Sequence, residues 1–195
     1  MKLDRSYYER DDVVGIARDL LGKVLHSSLG GMHTSGIITE TEAYAGTMDR
    51  ASHAFGGRRT PRTEVMFGRG GTAYVYLCYG IHHLFNVVTN VAGVPHAVLV
   101  RGIAPMEGTE VMRQLRGPAR PLTTNGPGTC AQALGISTKH TGCDLTADVI
   151  WISDERIHVP DDAVRIGPRI GVEYAGSDAK RPYRFLLTDK RVLRG

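Results

Sequence analysis

The run Thr72-Ala73-Tyr74-Val75-Tyr76-Leu77-Cys78-Tyr79-Gly80-Ile81-His82-His83-Leu84-Phe85-Asn86-Val87-Val88-Thr89 decides the fold. Two β-rich runs, Thr72 to Tyr79 and Leu84 to Thr89, flank a turn signal at Gly80, the pattern of paired strands. A third run, Ala97 to Ile103, follows the turn signal Gly93-Val94-Pro95. Together they predict an antiparallel meander.

Upstream, Asp11 and Asp12 precede Val13, Val14, Ala17, Leu20 and Leu21 at helical spacing, and Gly22 stops the pattern. Acids at the positive end of a helix suit its dipole. Lys23 to Leu29 and Ser35 to Tyr44 read as strands around the Gly30-Gly31 turn. Ala45 to Gly71, rich in Gly, Arg, Thr and Pro, reads as a long loop, and loops of that length are usually functional or disordered. Downstream, Glu107 to Arg116 reads as a helix, Arg116 to Thr129 as a loop and Cys130 to Leu134 as a short helix. Gly126-Pro127-Gly128 resembles a helix-hairpin-helix turn but lacks the apolar first helix, so it reads as a loop and N-cap. Val149 to Ile152, Val164 to Val172 and Arg184 to Leu187 read as strands, and Trp151 as a core residue. The expected class is α+β, with a curved, mainly antiparallel β-sheet flanked by helices in one domain over 1–195.

Composition narrows the function classes. The 195 residues carry a net charge of +4, which permits nucleic-acid binding without requiring it. The three widely spaced cysteines form no C-x-x-C pair, so neither a zinc ribbon nor a disulfide framework is expected. The polar start Met1-Lys2-Leu3-Asp4-Arg5 is no secretory signal, and no apolar run approaches the roughly 18 residues of a membrane span. An intracellular protein, in a reducing compartment and away from membranes, is expected. His82, His83 and His96 lack metal-site spacing with Glu40 or Asp49, so no metal is expected.

Strand alternation puts Glu40, Glu42 and Tyr44 on one face, and Tyr74 and Tyr76 on one face of the next aromatic strand. Tyr79, beside the turn and followed by Ile81, is placed to wedge between base pairs. Gly56-Gly57-Arg58-Arg59-Thr60-Pro61-Arg62 offers cations, a hydroxyl and backbone N–H groups suited to phosphate oxygens. Each piece also has a plainer reading: a polar strand face, half-buried packing tyrosines, a solvated basic loop, a structural His53. Glu40 and Glu42 are equal candidates for a base on these grounds.

The order of the pieces resembles the alkyladenine (3-methyladenine, or methylpurine) DNA glycosylase family. The resemblance is carried by Glu40-Thr41-Glu42-Ala43-Tyr44, His53 with Gly56-Gly57-Arg58, Thr60-Pro61-Arg62, Met66-Phe67 and Gly71 to Tyr76. It continues through Tyr79-Gly80, Asn86, Leu99-Val100-Arg101, Met112 to Arg116, Gly126-Pro127, Gln132-Ala133-Leu134 and Arg169-Ile170-Gly171-Val172. It implies a monofunctional, cofactor-free glycosylase of base-excision repair, a monomer acting on double-stranded DNA wherever the cell keeps its DNA (cytoplasm and nucleoid, or nucleus). Such an enzyme flips an alkylated or deaminated purine (3-methyladenine, 7-methylguanine, hypoxanthine or ethenoadenine) from the duplex and hydrolyses its N-glycosidic bond.

By the same resemblance Glu42 is the general base, and Arg101 and the main-chain carbonyl of Ile170 help hold the attacking water. Tyr44, His53 and Tyr76 sandwich the base, while Asn86 clashes with the 2-amino group of guanine. Tyr79 fills the vacated stack with Ile81 nearby, Arg58 and Thr60 meet phosphates, and Met66 lies close to the target nucleotide. Rival readings are a non-enzymatic sensor of damaged bases and an RNA-binding domain using the same aromatics.

Overall fold

A computed structural model describes residues 1–194; Gly195, the last residue of the expected domain, lies outside them. Among the described residues there are four α-helices and eight strands: α1 (Arg5–Tyr8), α2 (Val13–Asp19), β1 (Val24–Leu29), β2 (Met32–Tyr44), β3 (Thr72–Cys78), β4 (His82–Thr89), β5 (His96–Glu107), α3 (Thr109–Arg116), α4 (Pro127–Ala133), β6 (Ile150–Ser153), β7 (Val164–Gly167) and β8 (Arg184–Leu187). One antiparallel sheet runs β3-β4-β5-β2-β1-β6, and β8 joins it on β2 with β7 beyond.

The sheet branches on β2, its longest strand. The first half of β2 pairs with β1, from Val24 opposite Ile37 to Leu29 opposite Met32. Further along, Glu40 to Glu42 pair instead with Leu186 to Arg184 of β8, while β5 follows the other edge from Ser35 to Tyr44. The sheet therefore curls around the end of β2, where the acids lie. The expected α+β class and curved antiparallel sheet are observed.

The helices pack against the sheet and close the core. In α2 the Asp12 carboxylate accepts a hydrogen bond from the Gly15 N–H (2.8 Å), a side-chain N-cap. Val13, Ile16, Ala17 and Leu20 of this segment are buried at helical spacing against the sheet. Gly22, at φ +84°, turns the chain into β1. Pro127 occupies the first turn of α4 with Gly126 as its N-cap, a position where a missing N–H costs nothing. The expected cap is present at Gly126, but the helix starts at Pro127, so Pro127 to Thr129 belong to it and not to the expected loop.

Several expected boundaries move. β5 continues to Glu107, and α3 starts only after Gly108 turns at φ +69°. The strand expected over Val164 to Val172 ends at Gly167, because Pro168 lacks an N–H for the ladder. The long Ala45 to Gly71 segment is ordered by short 3₁₀ turns at Gly46–Met48, Phe55–Gly57 and Glu64–Phe67. Trp151 is not a core residue: Ile150 and Ile152 fill the core, and the indole lies outward, stacked on His26 at 4.8 Å. Alternation demands this, since only every second side chain of β6 can face inward. His82 and His83 begin β4, and His83 accepts a hydrogen bond from the Thr138 N–H (3.2 Å). Among the described residues no helix is long and apolar enough to cross a membrane.

Candidate active site

The chemistry gathers where two offset bulges interrupt the β2–β5 ladder. Thr41 pairs with Val100 and Glu40 with Gly102, which leaves Arg101 as an extra residue of β5. Ile38 then pairs with Ile103, which leaves Thr39 as an extra residue of β2. A bulge re-aims a side chain that the ladder would hold elsewhere. Arg101 accordingly reaches both acids, with Nε 2.9 Å from Glu40 and Nη1 3.3 Å from Glu42.

Glu40 and Glu42 share a face as alternation requires, but that face is buried. Glu40 Oε1 also accepts a hydrogen bond from Arg184 Nε at 2.6 Å, so two guanidinium groups hold it. Glu42 has 0% exposure. Its Oε2 accepts from the Tyr44 hydroxyl (2.8 Å), and its Oε1 accepts from the Ile170 backbone N–H (2.8 Å). Burial raises the pKa of Glu42, opposed by Arg101, the Ile170 N–H and the Tyr44 hydroxyl. Arg101 does favour the ionised form, as charge pairing predicts, yet desolvation outweighs it.

Tyr44, Arg101 and Ile170 line a cavity of about 320 Å³, near the small end of the roughly 300–1,000 Å³ typical of ligand sites. Glu42 itself lies directly behind these three residues rather than on the cavity surface. His53, Tyr76, Asn86 and Met66 also line the cavity, and Tyr79 stands at its rim. The His53 ring meets the Tyr76 ring edge-on, centroids 4.7 Å apart at 78°. These two rings thus make one composite wall and leave no slot between them. Tyr74, fully buried beneath, anchors His53 through a 2.8 Å hydrogen bond between its hydroxyl and Nδ1.

Burial, with Arg62 and Arg58 nearby, lowers the His53 pKa to about 4. The imidazole is therefore neutral at neutral pH, and the cavity wall adds no positive charge there. Desolvation likewise pushes the Tyr44 and Tyr76 hydroxyls upward, so both rings stay protonated. Asn86 donates through Nδ2 to the carbonyls of Tyr74 (3.1 Å) and Leu84 (3.3 Å), which fixes its amide. Met66 packs with Ala54, Tyr74, Val88 and Ala97 at the cavity floor.

Outside the cavity, Tyr79 and Ile81 are 91% and 72% exposed on the β3–β4 turn. Tyr79 sits at φ +50° with Gly80 at φ +73°, a left-handed pair that a bulky residue adopts only at a cost. Arg58 is exposed, whereas Arg59 is engaged with Glu64 (3.4 Å) and lies over the Phe67 ring. The Thr60 hydroxyl already serves its own turn, 3.1 Å from the Thr63 hydroxyl.

Sequence reasoning missed one pair. Arg169 and Asp49 are both 0% exposed by side chain and joined in a two-pronged ion pair. Asp49 had figured only as a conceivable metal ligand, and Arg169, inside an expected strand and a motif of the resemblance, had been given no role. Desolvation works against the Asp49 carboxylate, but Arg169 with the Ala45 and Ala51 N–H groups outweighs it and lowers its pKa. An acid and an arginine 120 residues apart leave no signal in a single sequence.

The sequence model of the family described as "Methylpurine-DNA glycosylase (MPG)" matches residues 6–191. Two relatives carry the name "Putative 3-methyladenine DNA glycosylase". That of Chlamydia felis is 45% identical over 192 residues, covering 97% of each chain. That of Bacillus thuringiensis is 43% identical over 195 residues, covering 95% of each. With this fold and cavity, such similarity along nearly the whole chain defines a DNA-repair hydrolase of N-glycosidic bonds. The chain belongs to the methylpurine-DNA glycosylase family, and the sensor and RNA-binding readings give way to that membership.

Proposed function

We propose that this glycosylase binds double-stranded DNA as a monomer, flips an alkylated or deaminated purine into the cavity, and cleaves its bond to deoxyribose with a Glu42-activated water. The substrates are of the 3-methyladenine, 7-methylguanine, hypoxanthine and ethenoadenine class. The observation that carries this reading is the buried Glu42, ringed by three residues of an aromatic cavity.

Tyr44 is one plate and the His53–Tyr76 wall the other. Electron-rich rings and a neutral imidazole suit a cationic N-alkylated purine, a cation–π gain of roughly 0.5–2 kcal/mol per well-placed ring. Asn86, its amide held by two carbonyls, stands against the 2-amino group of normal guanine. A water held by Glu42, Arg101 and the Ile170 carbonyl attacks the anomeric carbon as the N-glycosidic bond breaks. Its proton passes to Glu42, and the bonding electrons leave with the base. A cationic purine departs neutral, whereas a neutral one such as hypoxanthine departs as its anion and takes up a proton from water. Arg58 and Thr60 meet the backbone phosphates.

The test is incubation with duplexes that each carry one modified purine, followed by alkali to reveal abasic sites. Excision from at least one methylated, deaminated or etheno purine is expected, and none at all would sink the proposed substrate class. Single-turnover excision should fall as pH falls through the raised pKa of Glu42, where the base becomes protonated. Arg101→Met removes an opposing charge, so the acid limb should move to higher pH; an unmoved limb removes Arg101 from control of the base. Tyr79→Ala should slow excision from paired duplex at least about tenfold, since unstacking a base costs a few kcal/mol. A purine already unpaired in a loop should be affected much less, and equal slowing on both substrates would argue against a wedge.

A further inference from the structure

The Arg169 guanidinium bridges the end of β2, the segment that follows it and the segment beyond β7, which also meet through Arg50–Asp178 and Ala51–Tyr174 hydrogen bonds. Nη1 donates to the Ala43 carbonyl at 2.8 Å and to Asp49 Oδ2; Nη2 donates to Asp49 Oδ1 at 2.8 Å and to the Asp178 carbonyl at 3.1 Å. Ala43 stands between the base and its aromatic neighbour, Glu42 and Tyr44. The guanidinium carbon also lies 4.8 Å from the Tyr44 ring centroid. Asp49 in turn receives the Ala45 and Ala51 N–H groups at 3.0 Å each, which ties down the start of the His53 segment.

The next residue, Ile170, places its N–H 2.8 Å from Glu42 Oε1. No strand ladder holds that amide, because β7 has ended at Gly167 and Pro168 intervenes. The groups that fix it are the preceding Arg169 side chain and, two residues on, Val172 packed with Ala51 and Ala175. Stability alone is a poor reason for the arrangement, since apolar residues of similar volume often replace a buried ion pair without loss.

We propose that the Arg169–Asp49 pair is a positioning unit of the active site, holding the Ile170 amide on the Glu42 carboxylate and the Tyr44 ring in its plane. The proposal rests on Glu42 being the base. The charged and titratable groups facing Glu42 are Glu40 and Tyr44 of its own strand, Arg101 of β5, Arg184 opposite it on β8, Tyr76 of β3, and Arg169 and Tyr174 from the segment beyond β7. Arg101 touches Glu42 directly and is held by Glu40, not by Arg169. In Arg169→Lys the effect to read is the loss of the Ile170 N–H, which favours the ionised carboxylate, whereas Arg169→Gln also removes a cation that faces Glu42.

The test uses the full chain with Arg169→Lys, which keeps the charge but loses the fork, and Arg169→Gln, which keeps donors but loses the charge. Rates are taken per folded molecule, with folding followed by near-ultraviolet circular dichroism. Single-turnover excision is measured against pH, and Glu42 is titrated separately by carboxyl-carbon NMR, its signal assigned with Glu42→Gln. Both variants should bind damaged duplex within a few fold of the parent and excise about tenfold or more slowly at neutral pH. The acid limb and the Glu42 titration should both rise by about one pH unit, the scale of one hydrogen bond to a charged group. A folded variant with limb and titration unmoved overturns the proposal and leaves the pair purely structural. If the parent's limb does not follow its own Glu42 titration, the base assignment fails instead, and the positioning unit is then judged by the NMR titration alone.

Discussion

Glu42→Gln should abolish excision, by a factor of about 10²–10⁴ or more for loss of a general base, while damaged duplex still binds within a few fold. The geometry makes this a clean removal. Glutamine matches the shape of glutamate, and one amide oxygen can still accept from Ile170 or Tyr44. What disappears is a buried charge whose pKa burial already raises, so the thermal midpoint should hold or rise. Arg101 keeps Glu40 as its partner at 2.9 Å. The check pairs single-turnover alkali cleavage with fluorescence anisotropy on the same duplex. Full activity in the variant would falsify the role given to Glu42, and loss of binding together with activity would point to a folding defect.

The largest effect on stability is expected at Asp49→Ala. Arg169 would then be left as an uncompensated charge with no exposed side-chain surface, and breaking one side of a buried pair costs about 3–5 kcal/mol. For a chain of this size that lowers Tm by roughly 6–20 °C, at about 2–4 °C per kcal/mol. The exposed Arg113–Glu110 pair makes the contrast, since its removal should cost less than about 1 kcal/mol. Thermal unfolding at one pH compares the two variants. A fall of only a degree or two for Asp49→Ala would mean that water reaches Arg169.

Local pattern carried the secondary structure well where period and punctuation agreed. The apolar residues of α2, stopped by Gly22, and the alternation of β2 and β3 gave those elements and their faces. It failed where tertiary contact decides. The four-residue α1 is too short to show a period, and nothing local says that Arg169 and Ile170 leave the strand to reach Glu42. Trp151 shows a third limit, because composition made it a core residue while register turned it outward. Motif order picked out the residues around the cavity. It did not reveal that Glu42 lies behind the lining, nor that Glu40 anchors Arg101 and Arg184.

The bulge at Arg101 makes strand length itself a functional property. Thr39 is the matching extra residue of β2, so deleting one residue from Leu99 to Gly102 would leave β2 one residue too long and, with side chains alternating at a period of two, turn the β5 side chains on one side of the break to the opposite face. Every amino acid of the site could be retained and the site still be dismantled. A substitution at Arg101 removes one group, whereas a frame slip in β5 separates both acids from their cation or turns Leu99 away from the cavity it lines. The spacing of residues along this strand is thus inherited information of the same rank as their identity. In distant relatives, an insertion or deletion within β5 itself is a sharper sign of altered activity than a changed side chain.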